Sequence, residues 1–277
     1  MAKDRDRIEC APGVDAPLLR RILVAEPVRE IHRNRRSAVT EVRVDDRSYA
    51  RKQYQRRSPL DRLLPSPARR SWRLLLRGAR EGLPLPEPIG LALPRDGGRG
   101  VLVTRWFPGD HLHLTHARHR ERLRDPIEAR RFAEAVAVSL VKLWRRGLRT
   151  RDLAPQNLLV GRVDGTWRAC LVDLDDVRLA TSPSPTAILR GLSQLGHLPT
   201  TITPRQRLLG LRCFLEAGGT ELLAPWLEGR GALGLRRELH ERIRRLSEEK
   251  GARLRALGAD QHPHAGFGLD ASGDPVR

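Results

Sequence analysis

The sequence predicts an α+β fold of two lobes, a small antiparallel sheet with a helix first and a mainly helical lobe after it. Three observations lead there. Alternating apolar and polar residues with a turn signal fill residues 38–54, and residues 100–107 read as an apolar strand. Amphipathic stretches of helical length dominate from residue 125 onward. The proline-rich LPLPEPIG, residues 83–90, and then Pro108-Gly109 break regular structure. A chain of 277 residues suffices for two modest lobes around a cleft. The expected boundaries are a flexible leader at 1–15, an N-lobe at 16–105, a C-lobe at 106–258 and a disordered tail at 259–277.

AVTEVRVDDRSYARKQY, residues 38–54, reads as a hairpin: Thr40, Val42 and Val44 alternate with Val39, Glu41 and Arg43, and Asp45-Asp46 mark the turn. SPARRSWRLLLRGAREG reads as a helix, with Ser66 as N-cap, Pro67 at its first position and Gly82 just past its end. LPLPEPIG is an extended connector, because proline lacks the amide a helix needs. GVLVTRWF is an apolar strand. DPIEARRFAEAVAVSLVKLWRRG is a long helix, with Asp125 and Glu128 as a capping box around Pro126, and Gly147 as its stop. Phe132, Val136, Leu140 and Leu143 form its apolar stripe. NLLVGRV and WRACLVDL flank Asp164-Gly165, a hairpin turn. Later helices are expected from Pro204 to about Ala217, capped by Thr203 and Gln206, and from about Leu235 to Leu257. Trp72, Trp106 and Trp144 are expected in the core.

The formal charge is +19, and all but four of the 52 basic residues are Arg, a bias that GC-rich codons produce. The field still favours anionic partners: nucleotides, phosphorylated glycolipid or an acidic membrane surface. No zinc-finger spacing and no aromatic platform interleaves with the arginines, so nucleic acid is not the expected partner. Cys10, Cys170 and Cys213 are odd in number and widely spaced, which indicates neither a disulfide framework nor a zinc site. MAKDRDRIEC has no apolar signal-peptide core, and no apolar run approaches the ~18 residues of a membrane span. A cytoplasmic protein is expected.

Two loops carry the chemistry. TRDLAPQNLLV, residues 150–160, sets Asp152 and Asn157 five residues apart, and CLVDLDD, residues 170–176, sets Asp173 after an apolar strand. Taken singly, these are turn and cap residues, and Lys52 in SYARKQY is a solvated strand residue. Lys52 gains weight as one of four lysines, with Arg51 beside it. Together the four positions resemble the protein-kinase catalytic loop H-R-D-x-x-x-x-N, the metal-binding Asp of D-F-G and the strand lysine. The chain is also similar to the bacterial lipopolysaccharide core kinases, the Kdo/heptose kinase family. That family's K-R-Y-like strand, Arg-rich segment with W-R helix and G-[IL]-P-x-P stand here as RKQY, RRSPLDRLLPSPARRSWRLL and GLPLPEP. LVDLDDVRL and LRGLSQLGHLP resemble its short C-terminal lobe, so the resemblance spans residues 20–255.

The resemblance implies a two-lobed protein-kinase-like fold and an ATP-dependent phosphotransferase acting on a Kdo or heptose hydroxyl of the lipopolysaccharide inner core. Asp152 would accept the proton of the attacking hydroxyl. Asn157 and Asp173 would hold Mg²⁺, which prefers oxygen ligands and keeps several waters. Lys52 would meet the α/β-phosphates as a compact charge. Asp175 or Asp176 is a weaker candidate for a second ion. The acceptor would be an anionic glycolipid at the cytoplasmic face of the inner membrane, which a basic enzyme meets as a peripheral protein.

Several positions depart from the pattern. Thr150 replaces the catalytic-loop His, Ala154 stands where protein kinases carry Lys, Asp175 replaces the Gly of D-F-G, and no A-P-E segment follows. The last three suit a sugar acceptor rather than a protein one. HRNRRSAV holds the place of the glycine-rich loop, with Arg33, Arg35 and Arg36 as alternative phosphate contacts. Ser71 lies where a helix Glu would pair with Lys52, so the lysine needs another holder. These departures support a second reading, an inactive kinase-like binding module. A third is a small-molecule phosphotransferase of the aminoglycoside or choline type.

Overall fold

The structure, a computed structural model, describes residues 7–55, 66–94, 100–199 and 201–256, and of residues 250–256 the backbone only. The Arg-rich residues 56–65 and the tail 259–277 lie outside the described residues. The chain divides into two compact units, Met1–Phe107 and Pro108–Arg277.

The first unit runs β1 (Arg7–Cys10), α1 (Ala16–Val24), β2 (Pro27–Arg33), β3 (Ser37–Val44), β4 (Arg47–Tyr54), α2 (Pro67–Arg80), β5 (Pro88–Leu93) and β6 (Val101–Arg105). Its strands form one antiparallel sheet, in the order β1-β5-β6-β4-β3-β2. The expected hairpin is β3 and β4. Its turn places Asp45 (φ 50) and Asp46 (φ 56) in the left-handed region, as a tight type I′ connection requires. Asp15 starts α1 by accepting from the Leu18 amide at 2.8 Å, and Leu19 and Ile22 bury against Val42, Tyr49, Ile89 and Val103. An added methyl at Gly90 of β5 would run into Leu19, so this glycine lets α1 lie close on the sheet.

Side chains alternate along a strand, so β4 turns Tyr49 toward α1 and Tyr54 toward α2, where its hydroxyl meets Ser71. Three expectations change here. Arg7–Cys10, inside the expected leader, is an edge strand, paired with β5. The proline-rich connector continues into a strand, with Pro88 at its first position, where a missing amide is tolerated. Ser66 holds the cap position of α2, but its hydroxyl caps no amide among the described residues.

The second unit contains β7 (Asp110–His111), α3 (Leu112–Arg118), α4 (Pro126–Arg145), β8 (Leu148–Arg149), β9 (Leu158–Val163), β10 (Thr166–Leu171) and β11 (Arg178–Leu179). The helices α5 (Pro185–Gly196), α6 (Pro204–Phe214), α7 (Thr220–Leu227) and α8 (Gly231–Ala256) follow. β9 and β10 form the expected hairpin, turning on Asp164 (φ 50) and Gly165 (φ 76), and β7 pairs with β9.

Asp125 caps α4 through the Ile127 amide at 3.1 Å, but Glu128 does not complete a capping box. It is drawn instead to Arg122 (2.7 Å), Arg131 (3.0 Å), Arg162 (3.3 Å) and the Trp167 indole (3.3 Å). At α6 the box does form, between Thr203 and Gln206. The helix expected to reach Ala217 ends at Phe214 and passes through a π turn, Leu215–Gly219, in which Gly218 has φ 113. Trp72 and Trp144 are core residues. Trp106 is half-buried, with the Arg29 guanidinium 5.2 Å from its ring. Phe132, Val136 and Leu140 of the α4 stripe, with Leu195, Leu211 and Ile243, line an apolar cavity of about 1290 Å³.

Candidate active site

In the second unit, Gly147 (φ 72) ends α4 and residues 150–157 form a loop before β9. Leu153 of this loop is fully buried, while Asp152 beside it is exposed. Short polar contacts fix the backbone around Asp152 from two sides. Asp176 accepts from the Thr150 hydroxyl at 3.0 Å and from the Arg151 amide at 2.9 Å. Thr150 in turn accepts from the Asp152 amide at 3.2 Å. On the other side, Gln194 of α5 accepts from the Leu153 amide at 2.9 Å and donates to the Arg151 carbonyl at 2.6 Å. The departure from His at position 150 is thus built into a bonded loop. Asp176 has both oxygens engaged there, one on the Thr150 hydroxyl and one on the Arg151 amide.

Asn157 is buried and joins the two loops. Its Nδ2 donates to the Asp152 carbonyl at 3.0 Å and to Asp152 Oδ2 at 3.3 Å, and its backbone carbonyl accepts from the Val172 amide at 2.8 Å. Because Leu158 pairs with Leu171, Asp173 leaves the hairpin next to Asn157. Asp173 adopts φ 55, ψ 69, a left-handed conformation that costs a non-glycine residue energy and recurs at functional sites. The buried Leu174 anchors the turn behind it, so the Asp173 carboxylate stands exposed.

With its nitrogen committed to Asp152, the Asn157 amide offers its oxygen, and Asp173 supplies a charged one. Hard oxygen donors, few in number, suit Mg²⁺ shared with phosphates and water. Among the described residues no cluster of three or more His, Cys, Asp or Glu offers a competing metal site.

Lys52 stands on β4 of the first unit, opposite Val39 and Leu102. Its ammonium lies 5.0 Å from the centroid of the Tyr54 ring, on the same strand face. The buried Tyr54 hydroxyl donates to Ser71 Oγ at 3.3 Å. Where the resemblance implies a Glu, a serine holds the tyrosine that faces the lysine. Arg51, on the opposite face, donates to the carbonyls of Leu23 and Ala25, both at 2.9 Å, and so caps the end of α1. In the β2–β3 turn Arg33 forks onto Glu30 at 2.9 Å, and Asn34 Oδ1 accepts from the Arg36 and Ser37 amides at 2.7 and 2.9 Å. This turn is built on an Asn side chain in place of glycines.

The sequence reading missed Gln194, the role of Asp176, and Tyr54. Gln194 lies within the LRGLSQLGHLP stretch already singled out, as a polar residue one helical turn after Gly191.

A family model for the lipopolysaccharide kinase (Kdo/WaaP) family matches residues 22–206. A solved structure described as "WaaP in complex with acyl carrier protein" is similar at a TM-score of 0.61 and 19% identity, over 87% of this chain and 99% of that one. At that identity the likeness is one of fold, and it bears out the α+β, protein-kinase-like architecture. No curated protein sequence matches the chain.

Proposed function

The chain belongs to the lipopolysaccharide kinase (Kdo/WaaP) family, a family of kinases, and from that premise we propose that it transfers the γ-phosphoryl group of ATP to a Kdo or heptose hydroxyl of the lipopolysaccharide inner core. Phosphoryl transfer asks little covalent chemistry of the protein, so positioning and charge neutralisation dominate. Asp152 accepts the proton of the attacking hydroxyl from an exposed position on a fixed loop. Asn157 Oδ1 and the Asp173 carboxylate hold Mg²⁺, which when bound neutralises charge on the phosphate oxygens. Lys52, faced by Tyr54, binds the α/β-phosphates. The observation that carries this reading is Asn157, whose side chain bonds Asp152 while its backbone bonds the residue before Asp173.

Turnover of Mg-ATP with purified core-lipid acceptors tests it, wild type against Asp152→Asn. General-base loss should cost ~10²- to 10⁴-fold, and a gene deletion should leave the core one phosphate lighter by mass spectrometry. Full activity in the Asn variant refutes the assignment.

The site of action is the cytoplasmic membrane surface. No described helix is long and apolar enough to cross a membrane, and the +19 charge supports peripheral contact with anionic lipid. An acyl carrier protein is a second proposed partner. The similar WaaP structure has one bound. The apolar cavity exceeds the ~300–1,000 Å³ of ordinary ligand pockets and has room for an acyl chain. Binding to acylated but not to unacylated carrier protein is the expected result, and equal binding to both removes the cavity from the argument.

A further inference from the structure

Asp152 is gripped through its neighbours by a side chain that the phosphotransfer reading leaves without a role. The Gln194 amide presents both its groups to one stretch of backbone, accepting from Leu153 N–H at 2.9 Å and donating to Arg151 C=O at 2.6 Å. These are the two bonds that a paired strand would make around residue 152, supplied by one side chain. The helix that carries Gln194 is seated on this loop. A methyl added at Gly191 would lie 2.8 Å from Trp144 Cζ2 and 2.9 Å from Leu153 Cδ2. Gly191 and Gln194, three apart, share a helix face: the glycine permits the approach, and the glutamine uses it.

Apolar anchoring is already provided by Leu153, fully buried, and by Trp144 beside it. What the amide adds is direction, since turning either peptide plane next to Asp152 would swing its exposed carboxylate away. We propose that Gln194 is a positioning residue of the phosphotransfer, acting through Asp152 on the rate of the chemical step and not on nucleotide binding. The inference rests on Asp152 being the proton acceptor. Asp176 holds the same loop, but it follows Asp173 closely and its replacement would disturb both ends of the site. The two Gln194 bonds flank Asp152 on either side.

The test uses the full chain with Gln194→Met, which keeps length and loses both bonds, and Gln194→Glu, which keeps only the acceptor. Expected are melting temperatures close to wild type, an unchanged KM for ATP, and kcat lowered ~10- to 100-fold in the Met variant, because small misplacements of reacting groups cost that much. The Glu variant should fall less. In an Asp152→Asn background, Gln194→Met should add little further loss, since two residues acting through one contact are not additive. A raised KM with unchanged kcat, a lowered melting temperature with full kcat in the folded fraction, or an additive double variant each overturns the proposal. If Gln194→Met does not fold, Gln194→Glu carries the same kcat and KM comparison. Full turnover in Asp152→Asn rejects the Asp152 assignment itself, whereas an inactive Asp152→Asn beside a fully active Gln194→Met rejects only the role of Gln194.

Discussion

Lys52 and Arg51 are adjacent, carry the same charge and do different work. Alternation along β4 sends Arg51 to the carbonyls that end α1 and Lys52 to the face of Tyr54. The rarity of lysine in this chain made Lys52 legible as a candidate. Its holder was not legible, because the Tyr54–Ser71 contact joins a strand to a helix across residues whose sequence pattern carries no trace of it. Under the proposed role, Lys52→Arg should cut kcat/KM by about tenfold or more, since a planar guanidinium does not replace a compact ammonium at a phosphate oxygen. Near-full activity would make Lys52 a strand surface residue. Tyr54→Leu should raise the KM for ATP about 2- to 5-fold through loss of a cation–π contact worth ~0.5–1 kcal/mol, and Tyr54→Phe, which keeps the ring, should do less. On the second unit, Asp173→Asn should lower turnover ~10²-fold or more by removing charge from the metal site. Unchanged turnover at saturating Mg²⁺ would sink that assignment.

Glu128 shows what an element's pattern leaves out. Asp-Pro-x-Glu before an apolar stripe is a sound capping-box signature, and the cap residue and helix start were read correctly from it. The glutamate itself goes elsewhere, because Arg122, Arg131, Arg162 and the Trp167 indole converge on it from a turn, from α4 and from the β9–β10 hairpin. Competition among distant partners is a tertiary fact, and four-residue spacing cannot encode it. The β3–β4 and β9–β10 hairpins, by contrast, were legible in full, since Asp45-Asp46 and Asp164-Gly165 suit the left-handed turn locally. Bonds from Arg122 first, then from Arg131, pull the Glu128 carboxyl from 4.5 down to about 2. A depressed carboxyl contributes stability that is fully present above its ordinary value and lost as pH falls through the folded one. Glu128→Gln should therefore melt below wild type at pH 7, with the gap closing between about pH 4.5 and pH 2. A gap that stays constant over that range would show that the network does not depend on the charge.

At the scale of the whole chain, order of elements and charge were legible, and fine topology was not. The sheet-then-helices sequence gave the α+β class. Strands at the sheet edge, β1 and β2, escaped notice because RIEC and PVREIHR are short or studded with charge, as exposed edges tend to be. Charge is the property that acts at this scale. Many arginines are spent on neighbouring acids, such as Arg244 on Glu241 and Arg130 on Glu216. Even if every one of the 33 acidic residues neutralised one of the 52 basic ones, 19 would remain. Each basic group near an anionic leaflet contributes about 1 kcal/mol, and salt shortens the reach of that attraction to a few ångströms at ~1 M. The protein should therefore co-sediment with vesicles containing anionic lipid at low salt and leave them at high salt, with little binding to neutral vesicles at either. Binding that survives high salt would mean that apolar surface, not charge, holds the enzyme at the membrane.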